Sequence, residues 1–199
     1  MISLGITGGI GSGKSVVAEL LRTMGIPVYD SDAESKRLTV TDIGIRSELI
    51  QLVGPQVFDS DGSLCKPAFA SWLFSADAHV KQVNAIIHPV VRRDFNEWKA
   101  RQAYEGCRAC AIESAILYEA SFEDVVDKVI VVTAPLEKRI ERTMQRDGAD
   151  REAVINRIKR QLDDAEKIRR ADFVILNDEE KSVIAQLSSI VDVLFEKNV

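Results

Sequence analysis

Cysteine is scarce in this 199-residue chain, with three in all, and histidine is scarcer, with two. Three thiols cannot staple a domain, and an odd count points to a reducing compartment. Cys107 and Cys110 form a lone C-x-x-C. A zinc site would need two more ligands, and Cys65, His79, His88 and the carboxylates stand at no recognised zinc spacing. Cys110 also opens a strand-like run, so the pair is read as structural. No apolar run approaches the roughly 18 residues of a membrane helix. Met1 leads straight into Ile2-Ser3-Leu4-Gly5-Ile6-Thr7, with no basic start and no small-residue cleavage site, so a cytoplasmic protein is expected. Basic excess is lacking as well. The 26 Lys and Arg face 31 Asp and Glu, a formal charge of -5, which disfavours a nucleic-acid partner.

What is present is a core. The chain is 46% hydrophobic and 29% charged, enough for one compact domain with room for an inserted subdomain. The charge is unevenly spread. Leu136 to Arg170 hold 11 basic and 8 acidic groups, a net of +3, against -8 for the rest. This segment is either a pair of solvated helices laced with ion pairs or a cationic surface for a polyanionic small molecule.

Residues 2–7 read as a strand, 8–13 as a glycine-rich turn, and Lys14 to Met24 as a helix with Val17, Leu20, Leu21 and Met24 on one face. Pro27-Val28-Tyr29 is a brief second strand ending at Asp30-Ser31-Asp32. Residues 33–105 are polar and helical in pattern, with His88-Pro89 expected to interrupt a helix. Asp59-x-x-Gly62 reads as a plain turn. Trp72 and Trp98 sit among apolar groups at helical spacing and are expected in the core. Strands return at 109–112, 129–132 and 173–176. Helices are expected from Pro135 to about Asp147, from Asp150 to about Arg170, and over the stripe Val183, Ile184, Leu187, Ile190, Val191 and Leu194. Short apolar strands alternating with helices predict an α/β fold, a parallel sheet covered on both sides.

Gly8-Gly9-Ile10-Gly11-Ser12-Gly13-Lys14-Ser15 matches G-x-x-x-x-G-K-[ST] between a strand and a helix, the context that a P-loop requires. Glycines let successive N–H groups turn inward around an anion, and the helix N-terminus adds partial positive charge. Lys14 can reach the β/γ-phosphates and the Ser15 hydroxyl can ligate Mg²⁺. Nucleoside triphosphate binding is expected. A GTPase would also need an N-K-x-D or T-K-x-D guanine reader, and no Asn or Thr begins one. A small P-loop protein with an Arg-rich helix pair late in the chain is similar to the nucleoside-monophosphate-kinase-like group.

Within that group, the chain resembles dephospho-CoA kinases over nearly its whole length. The resemblance is carried by Gly5 to Ser15 and Asp30-Ser31-Asp32. It continues through Ile86-Ile87-His88-Pro89, then Ile116-Leu117-Tyr118-Glu119 in the place of P-L-L-x-E. Further on come Arg142-Thr143-Met144-Gln145-Arg146-Asp147, Arg157-Ile158 with Gln161, and Ala171-Asp172 ending at Asn177. It implies ATP-dependent phosphorylation of the ribose 3′-hydroxyl of dephospho-CoA, the last step of coenzyme A synthesis. It also implies one P-loop kinase domain with its core at 1–30, 106–135 and 171–199, a helical CoA-binding insertion at about 31–105 and a lid at about 136–170. ATP and dephospho-CoA would be the small-molecule partners, with no membrane or nucleic acid, in a monomer or weak homo-oligomer. The sequence departs from the family at Val16 (usually Thr), Lys66 (often Arg), Ala115 (the Pro of P-L-L-x-E) and Arg139 (commonly Gln). Another small-molecule or nucleoside P-loop kinase, or a regulatory module that retains a P-loop but transfers nothing, are the alternatives.

Roles follow from this frame. Gly9, Gly11, Ser12, Gly13, Lys14, Ser15 and Val16 would hold the triphosphate, with Ser15 and Glu113 at the Mg²⁺. From position alone Asp32 is either a helix cap or, at the carboxyl edge of a parallel sheet, a catalytic base; the resemblance favours the base. Arg142 and Arg146 either make surface pairs with Glu141, Asp147 or Asp150, or lie on the triphosphate as lid residues; Lys14 and Arg146 join Asp32 in the catalytic set. His88 is a buried structural histidine or lies on the substrate side. Lys66 and Glu119 are further substrate-side candidates by resemblance. Asn177 either faces the adenine or is a turn residue.

Overall fold

A computed structural model describes residues 1–196. The expected core segment 171–199 runs past it, so 197–199 lie outside the described residues. The elements in chain order are β1 (Ile2–Thr7), α1 (Lys14–Thr23), β2 (Val28–Asp30), α2 (Ser31–Thr41), α3 (Ile43–Val53), α4 (Lys66–Leu73), α5 (Asp77–Tyr104), β3 (Ala109–Glu113), β4 (Lys128–Thr133), α6 (Leu136–Asp147), α7 (Arg151–Lys159), α8 (Asp164–Arg170), β5 (Phe173–Leu176) and α9 (Val183–Glu196). By contact they form two units, Met1–Tyr29 with Lys99–Val199, and Asp30–Trp98. None of the helices described is long and apolar enough to cross a membrane.

The first unit is built on a five-stranded sheet in the order β2-β3-β1-β4-β5. β1 runs parallel to β3 and β4, and β4 parallel to β5, in the α/β arrangement that the alternating pattern predicts. Leu4, Ile6, Ala109, Ala111, Ile130, Val132 and Ile175 pack with Val17, Ala18 and Leu21 of α1 and Leu187, Ile190 and Leu194 of α9. Burying each Leu or Ile there is worth about 1.5–3 kcal/mol. The opposite face is covered too, since a side chain at Gly5 would strike Leu117. Met24, expected on the apolar face of α1, is exposed. The helix has ended before it: Gly25, at φ 78°, turns the chain so that Gly25 N–H donates to Arg22 O and Ile26 N–H to Leu21 O.

In the second unit α2 to α4 and α5 as far as Trp98 supply the helical texture, with an isolated bridge between Phe58 and Leu64. The expected break at His88-Pro89 does not occur: α5 continues through Pro89. Proline removes one ladder bond and costs about 3 kcal/mol or more in a helix interior. Val83, Ile87, Val91 and Phe95, buried at four-residue spacing across that point, offset the loss. Trp72 and Trp98 are only half-buried, contrary to expectation; Trp72 stacks on His79 at 3.8 Å. Arg37 bridges α2 to Asp94 of α5 at 3.1 and 3.2 Å.

The single helix expected over 150–170 is two, α7 and α8. Asp163 begins the second by accepting from Ala165 N–H at 2.8 Å. Leu162 N–H, which a continuous helix would use internally, goes instead to Glu119 Oε1 at 2.8 Å.

Candidate active site

The glycine loop leaves β1 and opens α1, as its sequence requires. β1 leads to β2 on one side of the sheet, while its neighbour β4 leads to β5 on the other. The loop therefore sits at a topological switch point, beyond the carboxyl ends of the strands, where open α/β sheets bind ligands. Gly13 is the N-cap of α1 and no side chain caps the first turn, so the orphan N–H groups and the helix dipole face the loop.

Four groups of the first unit converge on this loop. Ser15 Oγ donates to Glu113 Oε1, at the end of β3, at 2.8 Å. Asn177, just past β5, donates from Nδ2 to Ser12 O at 2.9 Å; it braces the loop. Gln161 Oε1 accepts from Ile10 N–H at 2.8 Å. Arg139 of α6, 3% exposed, donates from Nε to Ile10 O at 2.9 Å and from Nη1 to Asp164. A Cβ at Gly9 would run into that guanidinium, which would have to shift to admit any other residue. Sequence reasoning missed Arg139 and Gln161 as loop contacts. Arg139 stood out only as a departure from the family, and a charged residue on a charged helix reads as solvated.

The other expected residues fall as follows. Arg142 Nη2 reaches Asn177 O at 3.3 Å and Glu179 at 3.0 Å, and its Nη1 is buried without a partner among the described residues. Arg146 pairs with Asp147 at 2.7 Å, and Asp147 also takes Arg157 at 2.6 Å. Both guanidiniums hold the Asp147 carboxyl well below the usual carboxylate range. Glu119, expected on the substrate, anchors Leu162 N–H and lies 3.5 Å from Lys167 Nζ. Lys167 is fully buried, and burial lowers its ammonium from the ordinary value. Val16 is exposed. Cys65, Cys107 and Cys110 are all free thiols; Cys110 is buried in β3, and burial pushes its pKa up to about 11.

In the second unit, Asp30 is the N-cap of α2. Its carboxylate accepts from Asp32 N–H at 3.0 Å and Ala33 N–H at 2.9 Å. Asp32 is thus not the cap, and its side chain is exposed. Lys66 opens α4, exposed. His88 is half-buried, and burial lowers its pKa.

A glycine loop at the switch point of a parallel sheet, with a hydroxyl and a carboxylate paired at its end, defines a P-loop nucleotide-binding protein of the small-kinase type. Comparison narrows this. Residues 2–182 match the dephospho-CoA kinase family, and the chain belongs to it. It is 50% identical over 196 residues to a dephospho-CoA kinase of Bacteroides fragilis, covering 98% of this chain and 94% of that one. A solved structure from Thermus thermophilus, the protein TT1252, is 34% identical with a TM-score of 0.82, covering 100% of this chain and 98% of the other. The dephospho-CoA kinase of Campylobacter jejuni shares the fold, at 22% identity and a TM-score of 0.72, covering 99% and 98%.

Proposed function

We propose that the protein transfers the γ-phosphoryl group of ATP to the ribose 3′-hydroxyl of dephospho-CoA, giving coenzyme A and ADP. The observation that carries this reading is the P-loop braced by Asn177, Gln161 and Arg139 in a chain of the dephospho-CoA kinase family. Phosphoryl transfer needs positioning, charge neutralisation and a carboxylate at the attacking hydroxyl. The 3′-oxygen bonds to the γ-phosphorus as the bond to the β–γ bridging oxygen breaks, and ADP leaves with that electron pair. Asp32 receives the hydroxyl proton; its freedom from capping supports the role. Lys14 and the loop N–H groups hold the triphosphate, and Arg142 and Arg146 meet it from the lid, about 136–170. Lys66 and His88 serve the acceptor side, within a helical insertion of about 31–105.

The donor set suits Mg²⁺. The Ser15 hydroxyl and Glu113 carboxylate are hard oxygens 2.8 Å apart, and Glu113 is 9% exposed. Bound there, the ion would neutralise charge on the phosphates. The setting we propose is cytoplasmic, with a monomer or weak homo-oligomer acting on small molecules alone.

The test is ADP release from ATP with dephospho-CoA, nucleosides, AMP, shikimate or no acceptor. Turnover should require dephospho-CoA. Equal turnover with another acceptor, or none with any, defeats the assignment.

A further inference from the structure

Ile10 is held from two sides. Its N–H is taken by Gln161 at 2.8 Å and its carbonyl by Arg139 Nε at 2.9 Å, with the Arg139 guanidinium tethered to Asp164. These contacts lie on two successive peptides, so together they fix the backbone dihedrals of Ile10. In a trans peptide the C=O and N–H point in opposite directions. Drawing the Ile10 carbonyl toward α6 therefore turns the Gly11 N–H the other way. The preceding peptide obeys the same rule: Ile10 N–H points to Gln161, and the Gly9 carbonyl points oppositely, accepting from Ser12 N–H at 3.1 Å. Gly11, at φ 76°, lacks the Cβ that would disfavour this left-handed conformation, so the Ile10–Gly11 peptide can take either orientation of the turn. Something outside the loop must then select its orientation, and Arg139 is the donor that reaches it.

We propose that Arg139 is a positioning residue for nucleotide binding, which, anchored by Asp164, keeps the Gly11 N–H turned into the loop toward bound phosphate. The inference deepens the P-loop assignment above and rests on it. The 161–164 segment thereby becomes a brace of the phosphate site: Gln161 holds one Ile10 peptide directly and Asp164 holds the other through Arg139. A guanidinium suits the task, because its fork can donate to a carbonyl and a carboxylate at once in fixed geometry.

The experiment is titration of a fluorescent ATP analogue, and of ADP, into wild type, Arg139→Ala, Asp164→Ala, the double variant and Arg139→Gln. Arg139→Ala should weaken nucleotide binding by about tenfold or more, the scale of losing a charge-assisted hydrogen bond. Asp164→Ala should weaken it less, and the double variant no more than Arg139→Ala alone, because the two act as one unit. Arg139→Gln, which keeps a donor for the Ile10 carbonyl, should recover part of the loss. KM for dephospho-CoA should stay unchanged, which a general loss of packing would not produce. A folded Arg139→Ala protein that binds ATP as wild type does overturns the proposal. Should that variant not fold, unaltered nucleotide binding by Asp164→Ala overturns it instead. A wild type that binds ATP but ignores dephospho-CoA sinks the proposed function and leaves this test standing, since its readout is nucleotide binding itself.

Discussion

Asp30 caps the helix that Asp32 sits on: its carboxylate accepts the Asp32 backbone N–H at 3.0 Å. Two acidic residues that compete for one role in the sequence are thereby separated. Asp30→Ala should cost about 1 kcal/mol of stability, the usual loss for a cap, while Asp30→Asn should cost little. Asp32→Asn should leave melting and ATP binding nearly unchanged and lower kcat by roughly 10²–10⁴, the scale of an acid–base group. Thermal melts and steady-state kinetics on the three variants decide it. An Asp32→Asn enzyme within a few-fold of wild type would remove Asp32 from the chemistry.

The Ser15–Glu113 hydrogen bond makes a second separation possible. Lys14→Ala should abolish turnover and weaken ATP binding, because its charge acts in both ground and transition states. Glu113→Gln keeps an oxygen acceptor for Ser15 but loses the negative charge. It should therefore raise the Mg²⁺ concentration needed for half-maximal rate more than it changes KM for ATP at saturating Mg²⁺. An unchanged Mg²⁺ requirement in a folded Glu113→Gln protein would place the metal elsewhere.

The loop, the strands and the Asp30-Ser31-Asp32 junction were legible because each has a local signature: glycine spacing, β-branched runs, capping residues. The P-loop braces were not. Arg139 lies in a helix dense in charge, and its burial comes from contacts with the Ile10 carbonyl and Asp164, distant in sequence, that no local pattern shows. The break between α7 and α8 depends on Glu119 taking Leu162 N–H across 43 residues, which no window of sequence contains. Pro89 misled for the converse reason: a local rule was outweighed by the apolar stripe from Val83 to Phe95.

Asp127 gives a pH dependence unrelated to catalysis. Burial pushes its carboxyl up, but hydrogen bonds from Ser3 N–H at 2.7 Å and Ser3 Oγ at 2.6 Å outweigh that, and the folded pKa lies below the ordinary value. A depressed carboxylate stabilises the fold above its unfolded pKa of about 3.9 and loses that contribution as pH falls through the folded value. Asp127→Asn should melt lower than wild type at neutral pH, and the gap should close as the pH drops below about 4. A gap that is constant from pH 7 to pH 3 would contradict this.

The last prediction concerns Arg146. Its guanidinium is tied to Asp147 at 2.7 Å, and Asp147 is shared with Arg157 at 2.6 Å. An Arg146 that serves the triphosphate must give up this partner when ATP arrives. An exposed pair of this kind, screened by solvent, contributes little to stability and is small against a contact to a phosphoryl group in transfer. Arg146→Ala should therefore lower kcat by roughly 10²-fold or more, the scale of removing one transition-state donor. Asp147→Asn should keep kcat near wild type, because it only releases the arginine. If Arg146 is instead a surface ion-pair residue, the two variants should behave alike, with small losses of stability and none of rate. Amide exchange supplies an independent reading: ATP with dephospho-CoA should slow exchange across 136–170, since closure is what keeps water from the phosphoryl group. Equal kcat for both variants, with exchange in that segment unaltered by ligands, would remove Arg146 from the catalytic set and the segment from the role of a lid.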